Sequence, residues 1–185
     1  TLTILHETIA VVDQTLEQVR TLSLELRPSM LDDLGLAAAL RWYLDRQAQR
    51  AGFSVQFASE LSGGDVSKEI ETTCFRVAQE IVTNIARHAR AQNVRVELRR
   101  FETELELFIQ DDGVGFDLTA AREQATHETS LGLLGMQERL LIVGGRMDIQ
   151  TAPSRGTEVR VRFPLMPVTA GSETEMPHAD EGGDF

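Results

Sequence analysis

The chain has 185 residues, of which 42% are hydrophobic and 25% charged, and a net charge of -11 at neutral pH. Such a length accommodates one sizeable core, or a small domain with an attachment. The acidic balance argues against direct nucleic-acid binding, since phosphate backbones are met by basic surfaces, and neither a bilayer-spanning apolar run nor a signal peptide is visible. Part of the acidic excess is local: residues 172–185 hold five acidic side chains and no Lys or Arg. Cys74 is the single cysteine, so no intramolecular disulfide can form, and a reducing, cytoplasmic location fits. The chain opens inside a helical pattern and without methionine, as a fragment of a longer, conceivably membrane-anchored protein would.

Leu2, Leu5, Ile9, Val12, Leu16, Val19 and Leu26 recur at steps of three and four, interrupted at Ser23. That heptad stripe predicts a helix over residues 1–26 that packs in a coiled coil or bundle, as a homodimerisation element or against the rest of the chain. Arg27-Pro28 ends or bends it. A second helix is expected from Leu34 to Ala51, stopping at Gly52. Phe53, Val55 and Phe57 alternate as in a strand, and Leu61 to Asp65 reads as a loop. The next helix, Lys68 to Ala89, buries Ile70, Cys74, Val77, Ile81 and Ile85. Strands follow at Asn93–Phe101 and Glu104–Gln110, joined by a tight turn at Glu102-Thr103. Phe116 to Ser130 is polar and aperiodic, which suggests a lid loop. Leu133 to Val143 is helical, and Arg146–Thr151 and Glu158–Phe163 are strands around a turn at Pro153–Gly156. From Pro164 onward, the proline, glycine and acidic content predicts a disordered tail.

Glu80, Asn84 and His88 lie four residues apart, so along a helix they drift about 40° per step and share one broad face. That face offers a carboxylate, an amide oxygen suited to a hard cation and an imidazole, with Arg87 alongside for phosphate oxygens. Asp111 ends a strand that runs into Gly113 and Gly115. A buried carboxylate there can accept a hydrogen bond from an exocyclic amine such as adenine N6, and the glycines let a flat ring approach the backbone. Taken alone, Asp-Asp-Gly-x-Gly reads as a plain acidic turn between a strand and a loop. Gly132 and Gly135 are read as opening a helix, whose free N–H groups bind anions. Many helices nevertheless start near glycine. Thr157 either holds the Asp111 carboxylate or a water at the base edge, or simply begins a strand. Arg87 and His88 taken singly are a solvated cation and a cap. The conjunction of these motifs in one order is what describes a pocket for a nucleotide and its magnesium ion.

Together these segments resemble a known family. Glu80-x-x-x-Asn84-x-x-Arg87-His88 is similar to the N box, Asp111-Asp112-Gly113-Val114-Gly115 to the first glycine box, and Gly132-Leu133-Leu134-Gly135-Met136-Gln137-Glu138-Arg139 to the second. With Gly156-Thr157 they resemble the ATP-binding catalytic domain of bacterial sensor histidine kinases, in the superfamily of gyrase, Hsp90 and MutL. Leu26-Arg27-Pro28-Ser29-Met30-Leu31-Asp32-Asp33-Leu34-Gly35-Leu36-Ala37-Ala38-Ala39-Leu40 resembles the signature of the subfamily that pairs with NarL-type response regulators. The resemblance covers about residues 1–165. It implies a two-layer α/β sandwich, with a mixed sheet backed by helices and preceded by a dimerisation-type helix. Residues 1–30 would be the end of a phosphoacceptor hairpin, 31–165 the catalytic domain and 166–185 the acidic tail.

The resemblance also implies the cofactors and roles. ATP and Mg²⁺ would bind, with Asn84 on the metal, Asp111 on the adenine amine and Glu80 as the catalytic base or polarising group. Gly113, Gly115, Gly132 and Gly135 would shape the pocket, Arg87 and His88 would approach phosphates or ribose, and Thr157 would support Asp111. Two departures stand out. Ser130 occupies a position that is glycine in many relatives, where it would stiffen the lid or add a hydroxyl near the phosphates. His6-Glu7 imitates the phosphoacceptor pair but stands too close to Leu26 for a helix, a turn and most of a second helix, so the acceptor is expected to lie outside this chain. Two rivals share the ATP pocket: a nucleotide-gated interaction module without kinase activity, and a serine kinase acting on an anti-sigma partner. The segment starting at Leu26 speaks against the second.

Overall fold

The computed structural model describes residues 29–61, 66–123 and 128–165. The heptad helix with its dimerisation role, His6, most of the loop before Val66, the acidic tail and the Ser130 hydroxyl lie outside what is described. Helix α1 (Ser29–Ala51) begins five residues earlier than the sequence pattern suggests, because it is two helical pieces joined at a kink at Gly35 (φ 77°, ψ 172°). Its end is closed by the Gly52 N–H on the Ala48 carbonyl at 2.8 Å. Strand β1 (Ser54–Ser59) follows. Helix α2 (Lys68–Asn84) is capped by Ser67, whose hydroxyl accepts from the Ile70 N–H, and passes directly into one π turn, Ile85–Ala89. The helix forecast as uniform thus changes pitch at its functional end, as α-helices often do beside sites.

Strands β2 (Asn93–Arg100) and β3 (Glu104–Asp111) match their expected spans to within a residue. The segment read as a lid loop is partly helical: α3 (Leu118–Glu123) lies within it, and α4 (Glu128–Ile142) starts well before Leu133. At the start of α3 the Asp117 carboxylate accepts from the N–H groups of Thr119 and Ala120, at 2.9 and 3.1 Å, a local capping signal that a search for long periodicity passes over. Strands β4 (Arg146–Thr151) and β5 (Thr157–Pro164) close the fold.

Among the described residues the strands form one sheet in the order β1-β2-β3-β5-β4, with β1 and β2 parallel and every other pair antiparallel. A parallel pair requires a crossover, and α2 supplies it. Helix α2 packs against α1, α4 and β3, while α1 touches β1 and α4 touches β4. The inward strand positions alternate as the pleat demands, and Val94, Val96, Leu98, Leu105, Leu107, Ile109, Val159, Val161 and Phe163 are buried with Leu40, Leu44, Phe75 and Val77 from the helices. All five stripe residues forecast from periodicity, four in α2 and Ile85 in the π turn, are buried.

The opposite face of the sheet carries ion pairs. Glu97 is paired with Arg95 and Arg99, and Glu106 with Arg162. Phe108 on that face lies beneath the guanidinium groups of Arg95 and Arg160, at 5.9 and 4.9 Å. The architecture is therefore a two-layer α/β sandwich with a mixed sheet, and the ends of β3 and β5 that carry Asp111 and Thr157 meet the C-terminal end of α2.

Candidate functional site

A cavity of about 360 Å³ opens where α2, the loop after β3, α4 and the β4–β5 strands converge. Its walls are mostly apolar: Ile81, Ile85, Leu133, Met136, Ile149 and Val159 line it. Five polar side chains interrupt them: Asn84 and His88 from α2 and the π turn, Asp111 from β3, Asp117 from the turn before α3, and Thr157 from β5. An apolar slot with a few fixed polar groups is what a flat heterocycle needs.

Asp111 is the buried polar anchor of the cavity, 5% exposed. Its Oδ1 accepts from the Gly113 N–H at 2.8 Å, and Thr157 donates to the same carboxylate through its hydroxyl and its backbone N–H. Burial pushes the Asp111 carboxyl above its ordinary value of 3.8, the donors from Gly113 and Thr157 pull it back, and the neighbouring Asp112 charge pushes it up again. Thr157 is itself placed by Thr151, whose hydroxyl lies 3.3 Å away, donates to the Gly156 carbonyl at 3.0 Å and accepts from the Phe116 N–H at 3.1 Å. Sequence reasoning found Thr157 and missed Thr151. The missed signal was their direct opposition across the β4–β5 pair.

The two aspartates are neighbours with opposite duties. Asp112 faces away, and its carboxylate accepts from the Gln92 N–H (2.8 Å), the Asn93 N–H (2.9 Å) and the Asn93 side-chain amide (2.7 Å). Those bonds, led by the ones from Asn93, hold its carboxyl below the ordinary carboxylate range. They pin the start of β2 to the end of β3 and so fix the direction in which Asp111 leaves the sheet.

The glycines act through close approach. Gly115 (φ 58°) and Gly156 (φ 68°) adopt the left-handed backbone, and a Cβ on either would collide with a carbonyl oxygen, that of Ala152 or of Asp111. Gly113 is similarly packed on the Ala89 carbonyl. Gly132 and Gly135 depart from expectation: they lie inside α4 and not at its N-terminus, because the helix runs on toward Glu128 without a breaker. Gly132 is instead the crossing point with α2, where a Cβ would collide with Glu80 Oε1 and stand 3.7 Å from Asn84 Nδ2. At Gly135 a Cβ meets the end of the Arg139 side chain at 3.3 Å.

The structure also divides the face proposed for α2. Asn84 and His88 line the cavity, whereas Glu80 and Arg87 line a separate groove of about 630 Å³ between α1, α2 and α4. The drift of an α-helix separates Glu80 from Asn84, and the wider π turn keeps His88 with Asn84. Arg87 and His88 are both exposed. The groove was not foreseen: Arg46, Arg50, Arg76, Arg87 and Arg139 converge on it from α1, α2, the π turn and α4. In the sequence these arginines are scattered over ninety-odd positions with no common period.

Comparison with known proteins supplies the context for this geometry. A family model described as histidine kinase-, DNA gyrase B-, and HSP90-like ATPase matches residues 69–167. The chain is 40% identical over 167 residues to an uncharacterized sensor-like histidine kinase of Chloroflexus aurantiacus, covering 87% of this chain and 28% of that protein. It is 37% identical over 155 residues to the oxygen sensor histidine kinase NreB of Staphylococcus carnosus (84% and 44% covered). The signal transduction histidine-protein kinase/phosphatase DegS of Brevibacillus brevis is 34% identical over 154 residues (83% and 39%). The chain thus spans less than half the length of these relatives.

Among solved structures, the histidine kinase domain of the Erythrobacter litoralis EL346 blue-light activated histidine kinase superposes with a TM-score of 0.57 at 20% identity, covering 70% of this chain and 61% of that one. The catalytic domain of histidine kinase ThkA gives 0.56 at 14% identity, covering 71% and 91%. These likenesses show a shared fold.

Proposed function

The chain belongs to the family of histidine kinase-, DNA gyrase B- and HSP90-like ATPases, and from that premise we propose that it is the catalytic, ATP-binding part of a two-component sensor histidine kinase. The observation that carries this reading is the buried Asp111 carboxylate, held by Gly113 and Thr157 at the edge of an apolar cavity that Asn84 enters from the opposite wall. A fixed acceptor in an apolar slot suits the 6-amino group of adenine and disfavours guanine, which presents a carbonyl oxygen at that position.

The donor set suits magnesium of one particular kind. Among the described residues no cluster of three His, Cys, Asp or Glu side chains is placed to hold a metal. Mg²⁺ keeps several waters and takes most of its remaining ligands from phosphate oxygens, so one amide oxygen, from Asn84, is a sufficient protein contribution. When bound, the ion would neutralise phosphate charge during transfer. The residues of the chain supply orientation. Asp111 and Thr157 hold the base, and the apolar walls exclude water from it. Glu80, beside Asn84 across the α4 crossing, accepts or polarises the proton of an acceptor imidazole. His88, from the cavity wall, and Arg87, from the neighbouring groove, would approach phosphate or ribose oxygens.

In this reading residues 1–30 end a dimerisation hairpin through which the full-length protein pairs, residues 31–165 are the catalytic domain, and the tail follows. The phosphoryl group would pass to a histidine outside this chain and then to a response regulator of NarL type, in the cytoplasm. Among the described residues no helix is long and apolar enough to cross a membrane. His6 is not the acceptor, so incubation with radiolabelled ATP should leave the chain unlabelled; covalent label on His6 overturns that assignment. The decisive experiment titrates Mg-ATP against the chain and its Asn84→Ala variant, with a folded variant confirmed by circular dichroism. Loss of magnesium-dependent binding supports the site, and equal affinity refutes it. A separately supplied acceptor helix then separates a kinase, which forms phosphohistidine on it, from a nucleotide-gated module, which does not.

A further inference from the structure

Behind the cavity wall stands a hydroxyl that touches both sides of the base site without lining it. Thr151 ends β4 and is half-buried. Opposite it on β5 is Thr157, with the two side-chain oxygens 3.3 Å apart. Thr151 donates to the Gly156 carbonyl at 3.0 Å and accepts from the Phe116 N–H at 3.1 Å. A carbonyl oxygen can only accept, so the single Thr151 proton is committed to Gly156, and its two lone pairs are left for the Phe116 amide and the Thr157 hydroxyl. The hydrogen-bonding capacity of the group is thus fully used, and two of its partners, Phe116 and Thr157, line the cavity.

We infer that Thr151 is a positioning residue of the base site: its hydroxyl ties the wall that carries Phe116 to the wall that carries Thr157, and so holds the Thr157 hydroxyl beside Asp111. Resting on the nucleotide reading of the cavity, this role makes Thr151 a determinant of its selectivity. The loop between β3 and α3 has other fastenings. The Val114 N–H donates to the Ala89 carbonyl at 2.8 Å, the Ser154 N–H donates to the Val114 carbonyl at 2.6 Å, and Gly115 packs on the Ala152 carbonyl. Those are main-chain contacts and all come before Phe116. Thr151 adds a side-chain tie where the chain turns toward Asp117 and α3.

A cross-strand threonine pair ordinarily supports the sheet alone. The bond to Phe116 sets this pair apart, because Phe116 belongs to no strand. Thr157 has one proton and two acceptors for it, the Asp111 carboxylate and the Thr151 oxygen, which together confine its rotation. Without a hydroxyl at position 151 the Phe116 amide loses this acceptor, and Thr157 is held from one side.

Two substitutions separate positioning from packing. Thr151→Val keeps the branched shape and strand preference and removes the hydroxyl, whereas Thr151→Ser keeps the hydroxyl and removes the methyl. A packing role makes serine the worse variant; a positioning role makes valine the worse one. The 185-residue chain is titrated with Mg-ATP and Mg-GTP. Thr151→Val should lose about tenfold in ATP affinity, the worth of about one net hydrogen bond, and part of its preference for ATP over GTP. Thr151→Ser should stay within about threefold of the parent. Amide hydrogen exchange in the ligand-free chain reads the tie itself: the Phe116 N–H should exchange faster in Thr151→Val than in the parent or in Thr151→Ser. Parent-like affinity and discrimination in Thr151→Val overturns the inference, as does an equal loss in Thr151→Ser or equal Phe116 exchange in all three proteins. A parent chain that binds neither nucleotide refutes the nucleotide reading, and the inference with it; ATP binding that is the same in the parent and in Thr151→Val refutes the inference alone.

Discussion

The two hollows that flank α2 are built from different materials. The cavity is shaped by backbone and by buried atoms: Asp111 is locked by a main-chain N–H and by Thr157, and Gly115 and Gly156 leave no room for a side chain. The groove is shaped by the ends of long side chains, with Arg50, Arg87 and Arg139 all exposed. Rigid, desolvated groups discriminate between ligands of similar size, because a mismatched partner leaves a buried polar atom unpaired. Flexible guanidinium groups in water attract any anion of suitable reach and lose their hold as salt rises. One helix thus separates a selective site from an adhesive one.

The cavity side should give the largest effects. Asp111→Asn keeps the shape and an acceptor for the Gly113 N–H but removes the charge and can present an amide donor to the ring amine. ATP affinity should fall by about 10- to 100-fold, equivalent to about 1.5–3 kcal/mol, and discrimination of ATP from GTP should shrink. Because the contact is buried, the loss should be the same at low and high salt; unchanged discrimination removes the assigned contact. Since the folded carboxyl sits above its ordinary value, its ionised form costs stability at neutral pH, and that cost disappears as pH falls through the folded value. The ligand-free variant should therefore be at least as stable as the parent at pH 7 by thermal melting. Next in size is Gly156→Ala. A Cβ there meets the Asp111 carbonyl in a left-handed backbone, so about 2 kcal/mol of stability should be lost, read as a lower denaturant midpoint at unchanged slope.

The fold was legible where burial repeats along the chain. The first strand appeared in the alternation of Phe53, Val55 and Phe57, and α2 with its π turn in the spacing of Ile70, Cys74, Val77, Ile81 and Ile85, since both periods are imposed by one apolar face. The cavity residues Asn84, Asp111 and Thr157 were legible as well, because each is positioned by its own element and the elements are consecutive motifs. Three things were not. The π turn at Ile85–Ala89 is a change of hydrogen-bond register that leaves no mark on the hydrophobic pattern, and the helical drift between Glu80 and Asn84 was read as one face that the structure divides. The beginning of α4 was placed at Leu133, just after Gly132, although glycine inside a packed helix marks a close crossing as readily as an end. The groove draws Arg46, Arg76 and Arg139 from three helices, and only tertiary packing brings them together.

The groove side should respond more weakly and with the opposite salt behaviour. Arg87→Gln removes an exposed cation of the groove, next in sequence to the cavity residue His88. ATP affinity should drop by about threefold at low ionic strength and by less than that at 0.5 M salt, because an exposed charge contributes about 1 kcal/mol or less and is screened. A loss as large as that of Asp111→Asn, or one indifferent to salt, would mean that Arg87 belongs to the desolvated site and would erase the distinction between the two sides.

The smallest effect sharpens the contrast within a single dipeptide. Asp112 lies in the same motif as Asp111 but is exposed and serves as an acceptor for Gln92 and Asn93. Its carboxyl is held below the ordinary value of 3.8, so it contributes stability that is present above that value and is lost as pH falls through the folded one. Asp111 has the opposite sign. Asp112→Asn should therefore leave the melting temperature at pH 7 lowered by only a few degrees, roughly 1 kcal/mol for weakened hydrogen bonds. It should also flatten the fall of stability on the acid side of pH 4. The Asp112 charge is one of the causes that raise the Asp111 carboxyl, so in this variant the Asp111 titration followed by carboxyl NMR should move down toward its ordinary value. An Asp111 titration that stays where it was would show burial alone to set it. The two aspartates would then be independent, with one holding the frame and the other holding the ligand.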